Sequence, residues 1–264
     1  MPETVRNGAR LHWYVDGSGP PLVLAAGLGG TATFWHANVP ALAKHFTVLA
    51  FDQRGTGHSS RVEVESVEEM SADLIAILDA AGIQRAAYLG HSTGGAIGVA
   101  TALDYPDRIS SLVIYASTTC GDTYRQRIFD LRLHLLSHLG LLAYAKYTTL
   151  LLYPPYWING NDAKLRELEL STSKQLGDAK VQGSRLDAIL KFDRRKELGR
   201  LNLPTLVVCC EDDVLTPSYF SREYANLIPH AKLMLVPRGG HAYAQTEPDE
   251  FNETVLKFFL SQRH

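Results

Sequence analysis

At 264 residues the chain fits one large domain or two small ones, and 45% hydrophobic with 20% charged residues is the composition of a globular protein with a sizeable core. A formal net charge of -2 and the lack of a long basic run argue against nucleic acid or an anionic membrane as partner, leaving a small, roughly neutral molecule as the expected substrate. Three cysteines, Cys120, Cys209 and Cys210, with no C-x-x-C pair argue against a disulfide framework and a thiolate zinc site, so a reducing compartment is expected.

The first residues, Met1 to Arg6, lack the apolar stretch of a signal peptide, and no uninterrupted apolar run reaches the roughly 18 residues of a membrane span. The expectation is a cytoplasmic protein, monomer or homodimer, that meets a small molecule and neither membrane nor nucleic acid.

In chain order, Arg10 to Val15 alternates polar and apolar residues and predicts an antiparallel edge strand, running into the turn Asp16-Gly17-Ser18-Gly19-Pro20. Runs rich in valine, leucine and isoleucine predict strands at Pro21 to Ala26, Phe46 to Phe51, Ala86 to Gly90, Ser111 to Ala116, Pro204 to Cys210 and Lys232 to Val236. Helical patterns lie between most of them. Ser66 with Glu69 forms a capping box ahead of a stripe at Val67, Met70, Leu74, Ile77, Leu78 and Ala81, and Gly82 stops that helix. Repeated strand-helix-strand units predict an α/β fold, a mostly parallel twisted sheet flanked by helices, with ligand sites at the carboxyl ends of strands.

From about Asp122 to Arg195 the alternation stops. Leu131, Leu135, Leu139 and Leu142 share one helical spacing, Leu186, Ile189 and Leu190 another, and Tyr153-Pro154-Pro155-Tyr156-Trp157 cannot continue a helix. The expected organisation is a core formed by residues 1–121 and 196–264, split by a helical cap over residues 122–195.

Gly90-His91-Ser92-Thr93-Gly94 matches G-x-S-x-G between an expected strand and a helix expected to begin near Gly95. A turn this tight forces the serine into strained backbone and leaves no room for neighbouring side chains, which is why its flanks are glycines. A serine hydroxyl needs a base, and the base an orienting carboxylate. Asp213 follows the strand Pro204 to Cys210, with Glu211 and Asp212 as rival acids, and His241 follows the strand Lys232 to Val236. The order Ser, Asp, His suits this architecture. Backbone amides of Thr93 and of Leu28, in the loop Gly27-Leu28-Gly29-Gly30-Thr31, are the expected oxyanion donors. That loop lacks both the P-loop lysine and the G-x-G-x-x-G spacing, and no cluster has metal-ligand spacing, so neither cofactor nor metal is expected. His91 reads as a packing residue. His58, His134 and His138 are candidates for a place near the site, whereas His12, His36, His45, His230 and His264 read as surface residues.

Gly27-Leu28-Gly29-Gly30, Phe51-Asp52-Gln53-Arg54-Gly55-Thr56-Gly57, Gly90-His91-Ser92-Thr93-Gly94-Gly95, Asp213 with Pro217, and Gly240-His241 together resemble the α/β-hydrolase superfamily over nearly the whole chain. In that family the aspartate commonly stands four residues before a proline, as Asp213 does before Pro217, and the turn Asp52-Gln53-Arg54-Gly55 looks structural. Within the superfamily the chain is most similar to aminoacrylate hydrolases of pyrimidine breakdown and to 3-oxoadipate enol-lactonases. Ala102-Leu103-Asp104-Tyr105-Pro106, Leu152-Tyr153-Pro154-Pro155-Tyr156-Trp157 and Gly239-Gly240-His241-Ala242 carry that likeness. It departs in Ala26, where many relatives have histidine, and in Cys210, where many have glycine. The resemblance implies a serine hydrolase with a Ser92, His241 and Asp213 triad, acting on a small ester, lactone, amide or carbamate-like bond. Phe34, Trp35, Tyr124, Tyr153 and Trp157 are the expected pocket residues. Carbon-carbon bond hydrolysis and perhydrolase or haloperoxidase-like chemistry use the same triad, and a ligand sensor that keeps the fold but hardly turns over is the alternative from another class.

Overall fold

The computed structural model describes residues 2–262, so His264 lies outside the described residues. Eight strands form one sheet in the order β1-β2-β4-β3-β5-β6-β7-β8. They are β1 (Glu3–Arg6), β2 (Ala9–Asp16), β3 (Pro21–Ala25), β4 (Thr47–Phe51), β5 (Ala86–His91), β6 (Ile109–Tyr115), β7 (Thr205–Cys210) and β8 (Lys232–Val236). β1 and β2 are antiparallel, and from β4 to β8 every pairing is parallel. β1 was not expected from hydropathy. It pairs back on β2 through the two-residue turn Asn7-Gly8, whose φ values of 48° and 75° are those a tight hairpin needs.

The helices are α1 (Val39–Leu42), α2 (Val67–Ala80), α3 (Thr93–Asp104), α4 (Thr123–Leu152), α5 (Pro155–Gly160), α6 (Asp162–Gln175), α7 (Ala179–Lys191), α8 (Ser218–Leu227), α9 (Tyr243–Thr246) and α10 (Pro248–Leu260). The period-two strands feed two core layers. Val23, Leu49, Phe51 and Tyr88 pack with α2 and α3 on one face, and Leu22, Leu24, Val48 and Leu89 pack with Phe251, Val255 and Phe259 of α10 on the other. At the start of α2 the Ser66 side chain accepts from the Glu69 N–H at 3.1 Å, while the Glu69 carboxylate accepts from the Glu65 N–H rather than that of Ser66.

Between β6 and β7 the chain makes α4 to α7, with α4 packed on α6 and α7. Gly140, at φ 81° and ψ -177°, breaks α4 into two helical stretches. Among the described residues α4 is the one helix long and apolar enough to cross a membrane, though its inner face is spent on α6, α7 and the cavity described below. Most of the leucines that share one helical spacing face out. Leu131, Leu139 and Leu142 are exposed, and the buried positions in the first part of the helix are Arg125, Ile128, Phe129, Arg132 and Leu136. The inner face carries an aromatic ring and two arginines turned toward the cavity, so the apolar stripe is displaced to the outer side. His134 and His138 also lie outside, stacked on each other at 4.2 Å, and the His58 side chain is largely exposed.

Candidate active site

Ser92 is the residue between β5 and α3, held at φ 53° and ψ -118° as the N-cap of α3, which begins two residues earlier than expected. The turn closes because nothing is attached to its flanking α-carbons. A Cβ on Gly90 would strike the Gly94 carbonyl, and one on Gly94 would strike the carbonyls of Ala25 and Ala26. Such a backbone costs about 1–3 kcal/mol and persists only where the surroundings enforce it. Here the Ser92 N–H donates to the Tyr115 carbonyl at 2.8 Å, and the Ser117 hydroxyl donates to the Ser92 carbonyl at 2.6 Å.

Asp213 and His241 meet in the loops after β7 and β8. His241 Nδ1 lies 2.8 Å from Asp213 Oδ2, with both side chains at 1% exposure or less. A carboxylate only accepts, so Nδ1 carries the proton and Nε2 is left as the basic nitrogen. Asp213 Oδ1 accepts from the backbone N–H of Leu215 at 2.8 Å and of Thr216 at 2.9 Å. The Thr216 hydroxyl, 2.8 Å from the Ala116 carbonyl, stands 3.1 Å from His241 Nδ1. The rival acids have other work: Asp212 accepts from the N–H groups of Gly239 and Gly240, and exposed Glu211 faces Arg222. The His241 carbonyl accepts from the Tyr115 hydroxyl at 2.7 Å and from His91 Nε2 at 3.0 Å. His91 is a buried ring stacked on Phe34 at 4.4 Å, its pKa pushed well below the ordinary value first by desolvation and then by His241.

Ser92 and His241 line one cavity of about 140 Å³, together with Leu28 and Thr93. Among the described residues nothing accepts from the backbone N–H of Leu28 or Thr93. Two buried side chains hold the Leu28 loop. Gln53 Nε2 donates to the Ala26 carbonyl at 2.6 Å, and Arg185 of α7 donates to the carbonyls of Leu28 and Arg54 and to Gln53 Oε1.

Of the expected pocket residues, Phe34 and Tyr153 line the cavity and three others do not. Trp35 is fully buried behind Phe34 and against Phe251, because the short 3-10 helix Ala32–Trp35 turns it into the core. Tyr124 is 44% exposed, its hydroxyl donating to the Val214 carbonyl, and Trp157 covers the far side of Tyr153 at 4.6 Å. Sequence reasoning missed Tyr115, Thr216, Arg185, Arg125 and Arg132. Tyr115 ends β6 and Thr216 lies in the loop after β7, so the rule that places sites at strand ends covers both.

A family model described as the alpha/beta hydrolase fold matches residues 20–247. The chain is 38% identical over 259 residues, covering 98% of each chain, to a protein of Azorhizobium caulinodans named "Putative carbamate hydrolase RutD". Among solved structures it is similar to the enol-lactonase from Burkholderia xenovorans, with a TM-score of 0.91 at 27% identity, covering 98% of this chain and 100% of that one. It is similar also to a hydrolase from Pseudomonas aeruginosa, with a TM-score of 0.90 at 27% identity, covering 98% and 97%. Both the superfamily and the enol-lactonase likeness read from the motifs are borne out. The chain belongs to the α/β-hydrolase superfamily and is a hydrolase.

Proposed function

We propose that this chain is a serine hydrolase that opens a small ester, lactone, amide or carbamate-like bond through an acyl-enzyme on Ser92. The observation that carries the reading is the buried His241–Asp213 pair, 2.8 Å apart, behind a cavity that also holds strained Ser92 and two unoccupied amides. Ser92 Oγ attacks the carbonyl carbon while His241 Nε2 takes its proton. Asp213 accepts the Nδ1–H bond and stabilises the imidazolium. The oxyanion of the tetrahedral intermediate receives the N–H groups of Leu28 and Thr93. His241 then hands its proton to the leaving oxygen or nitrogen, and water, deprotonated by the same nitrogen, releases the acid. The names of the relatives, a carbamate hydrolase and an enol-lactonase, favour a carbonyl carbon bearing oxygen or nitrogen as the point of attack.

The experiment is Ser92→Ala beside wild type on short activated esters, with fluorophosphonate labelling of both. Loss of labelling and a fall in kcat of more than about a hundredfold support the nucleophile, since removing a triad member usually costs far more than that. Activity retained within tenfold, about 1.4 kcal/mol of barrier, would sink it.

A further inference from the structure

Two neighbouring strands reach one oxygen. His91 ends β5 and Tyr115 ends β6, and the two residues are register partners in the sheet. Both donate to the main-chain carbonyl of His241, His91 Nε2 at 3.0 Å and the Tyr115 hydroxyl at 2.7 Å. Ser92 follows His91 directly, and its own N–H donates to the Tyr115 carbonyl at 2.8 Å. The main chain of His241 is thereby fixed to the same pair of strands that carries Ser92.

The Tyr115 hydroxyl also accepts, from the N–H of Ala244 at 3.0 Å. Ala244 stands three residues after His241, the spacing at which a turn closes by a direct bond from amide to carbonyl. The next pair along the chain does close in this way: the Gln245 N–H donates to the Ala242 carbonyl at 2.7 Å. At His241 the hydroxyl has taken that place. Bonds of 2.7 and 3.0 Å meeting at one oxygen keep carbonyl and amide farther apart than the ~2.9 Å of a direct bond.

The ring of Tyr115 gives its hydroxyl a fixed position. It is fully buried and packs on Phe251 at 4.8 Å and on His91 at 4.7 Å. Burial pushes its pKa well above the ordinary value, so the hydroxyl keeps its proton and can donate. Tyr115 is not among the residues that line the cavity, so it reaches a substrate only through His241.

We infer that Tyr115 is a positioning residue for His241: its hydroxyl is wedged into the turn from His241 to Ala244, holds that turn open, and so sets where Nε2 stands relative to Ser92. The inference rests on the reading under Proposed function, in which His241 is the base. Without the hydroxyl, the Ala244 amide loses its partner and the His241 carbonyl loses one of two, both in buried surroundings where an unmade bond is costly. Closing on each other remakes a bond for both. That closure draws the His241 main chain toward α9 and carries the ring with it.

Tyr115→Phe removes the oxygen and keeps the ring. On a short activated ester its kcat should fall by about tenfold to a hundredfold, the scale of a displacement of about 1 Å, while KM stays within about threefold. The Nδ1 proton of His241, which resonates far downfield when it is bound to a carboxylate, is read by NMR without any turnover. In the variant it should move upfield or broaden as the bond to Asp213 loosens. In wild type the Tyr115 hydroxyl proton should exchange slowly and show a nuclear Overhauser contact to the Ala244 amide, a measurement that stands even if the variant does not fold. Full kcat with an unmoved Nδ1 proton in Tyr115→Phe, whatever its stability, overturns the positioning role. A rise in KM at unchanged kcat overturns it as well, since that is the mark of a lost binding contact. So does a Tyr115 hydroxyl that exchanges freely with water or has no contact to the Ala244 amide. A wild type that cleaves no ester removes the hydrolase reading, and the two NMR measurements then decide the wedge by themselves.

Discussion

Asp212 and Asp213 are neighbours in the chain and hold different parts of the same loop. Asp213 accepts from the His241 ring, while Asp212 accepts from the backbone N–H groups of Gly239 and Gly240 just before it. One fixes the tautomer of the ring and the other fixes where the ring is delivered. Replacement of each by asparagine should therefore separate the two jobs. Asp213→Asn presents an amide to Nδ1 and favours the wrong tautomer, and kcat should fall by about 10⁴. Asp212→Asn keeps one acceptor oxygen for the glycine amides and should cost about tenfold or less. Steady-state kinetics on one activated ester checks both, and equal losses would contradict the division of labour.

Ser92 should be destabilising where it stands. Its φ of 53° with ψ of -118° is a conformation that any Cβ resists, and glycine accepts it freely. Ser92→Gly is expected to be more stable than Ser92→Ala by about 1 kcal/mol, although neither can form an acyl-enzyme. Urea unfolding of the two variants gives the comparison. Alanine equal to or above glycine would mean that the elbow is unstrained.

The sheet was legible because its strands are short apolar runs between glycine and proline, and the six expected parallel strands fall within two residues of those observed. β1 escaped because three of the four residues of Glu3–Arg6 are polar and it is too short to show a pattern; Asn7-Gly8 was its only strong signal. Positions of Ser92, Asp213 and His241 were legible for the same reason as the strands, since each lies just beyond a strand end. The helical insertion was legible too, but not which side of its first helix turns inward. Hydropathy assigns leucines inward and arginines outward, and α4 does the opposite with Leu131, Leu139, Arg125 and Arg132, both arginines lining the cavity. Trp35 was misread for a related reason: an aromatic next to a site residue is indistinguishable by sequence from one that packs behind it, and the 3-10 turn decides.

Arg185 links the inserted helices to the Leu28 loop, and on the proposed reading its removal should act on the chemical step. It donates to the Leu28 carbonyl at 3.0 Å and to Gln53 Oε1 at 2.7 Å, and Gln53 in turn holds the Ala26 carbonyl. Arg185 has no place in the cavity lining, so it would position the Leu28 amide without touching substrate. Arg185→Met should lower kcat by about tenfold to a hundredfold, the scale of a small misplacement, with KM nearly unchanged. Arg185→Lys should recover part of kcat. A variant that loses stability while its correctly folded fraction keeps full kcat would reduce Arg185 to a purely structural contact.

His91 makes stability depend on pH in a direction that can be worked out from its surroundings. Burial and the nearby His241 hold its folded pKa well below the ordinary 6.5, which the unfolded chain retains. Between the folded and unfolded values the unfolded chain binds a proton that the native ring refuses, so unfolding is favoured as pH falls. The contribution is therefore complete above about pH 6.5 and is lost progressively below it, toward the depressed folded pKa. His91→Gln keeps a donor for the His241 carbonyl but cannot titrate. Its unfolding free energy, measured by urea titration at steps from pH 7.5 to 5.5, is expected to fall less steeply than that of wild type, by up to about 1.4 kcal/mol per pH unit. Identical slopes would mean that the ring is protonated in the native state, and then its Nδ1, which has no hydrogen-bond partner among the described residues, would have to carry a proton in that buried position.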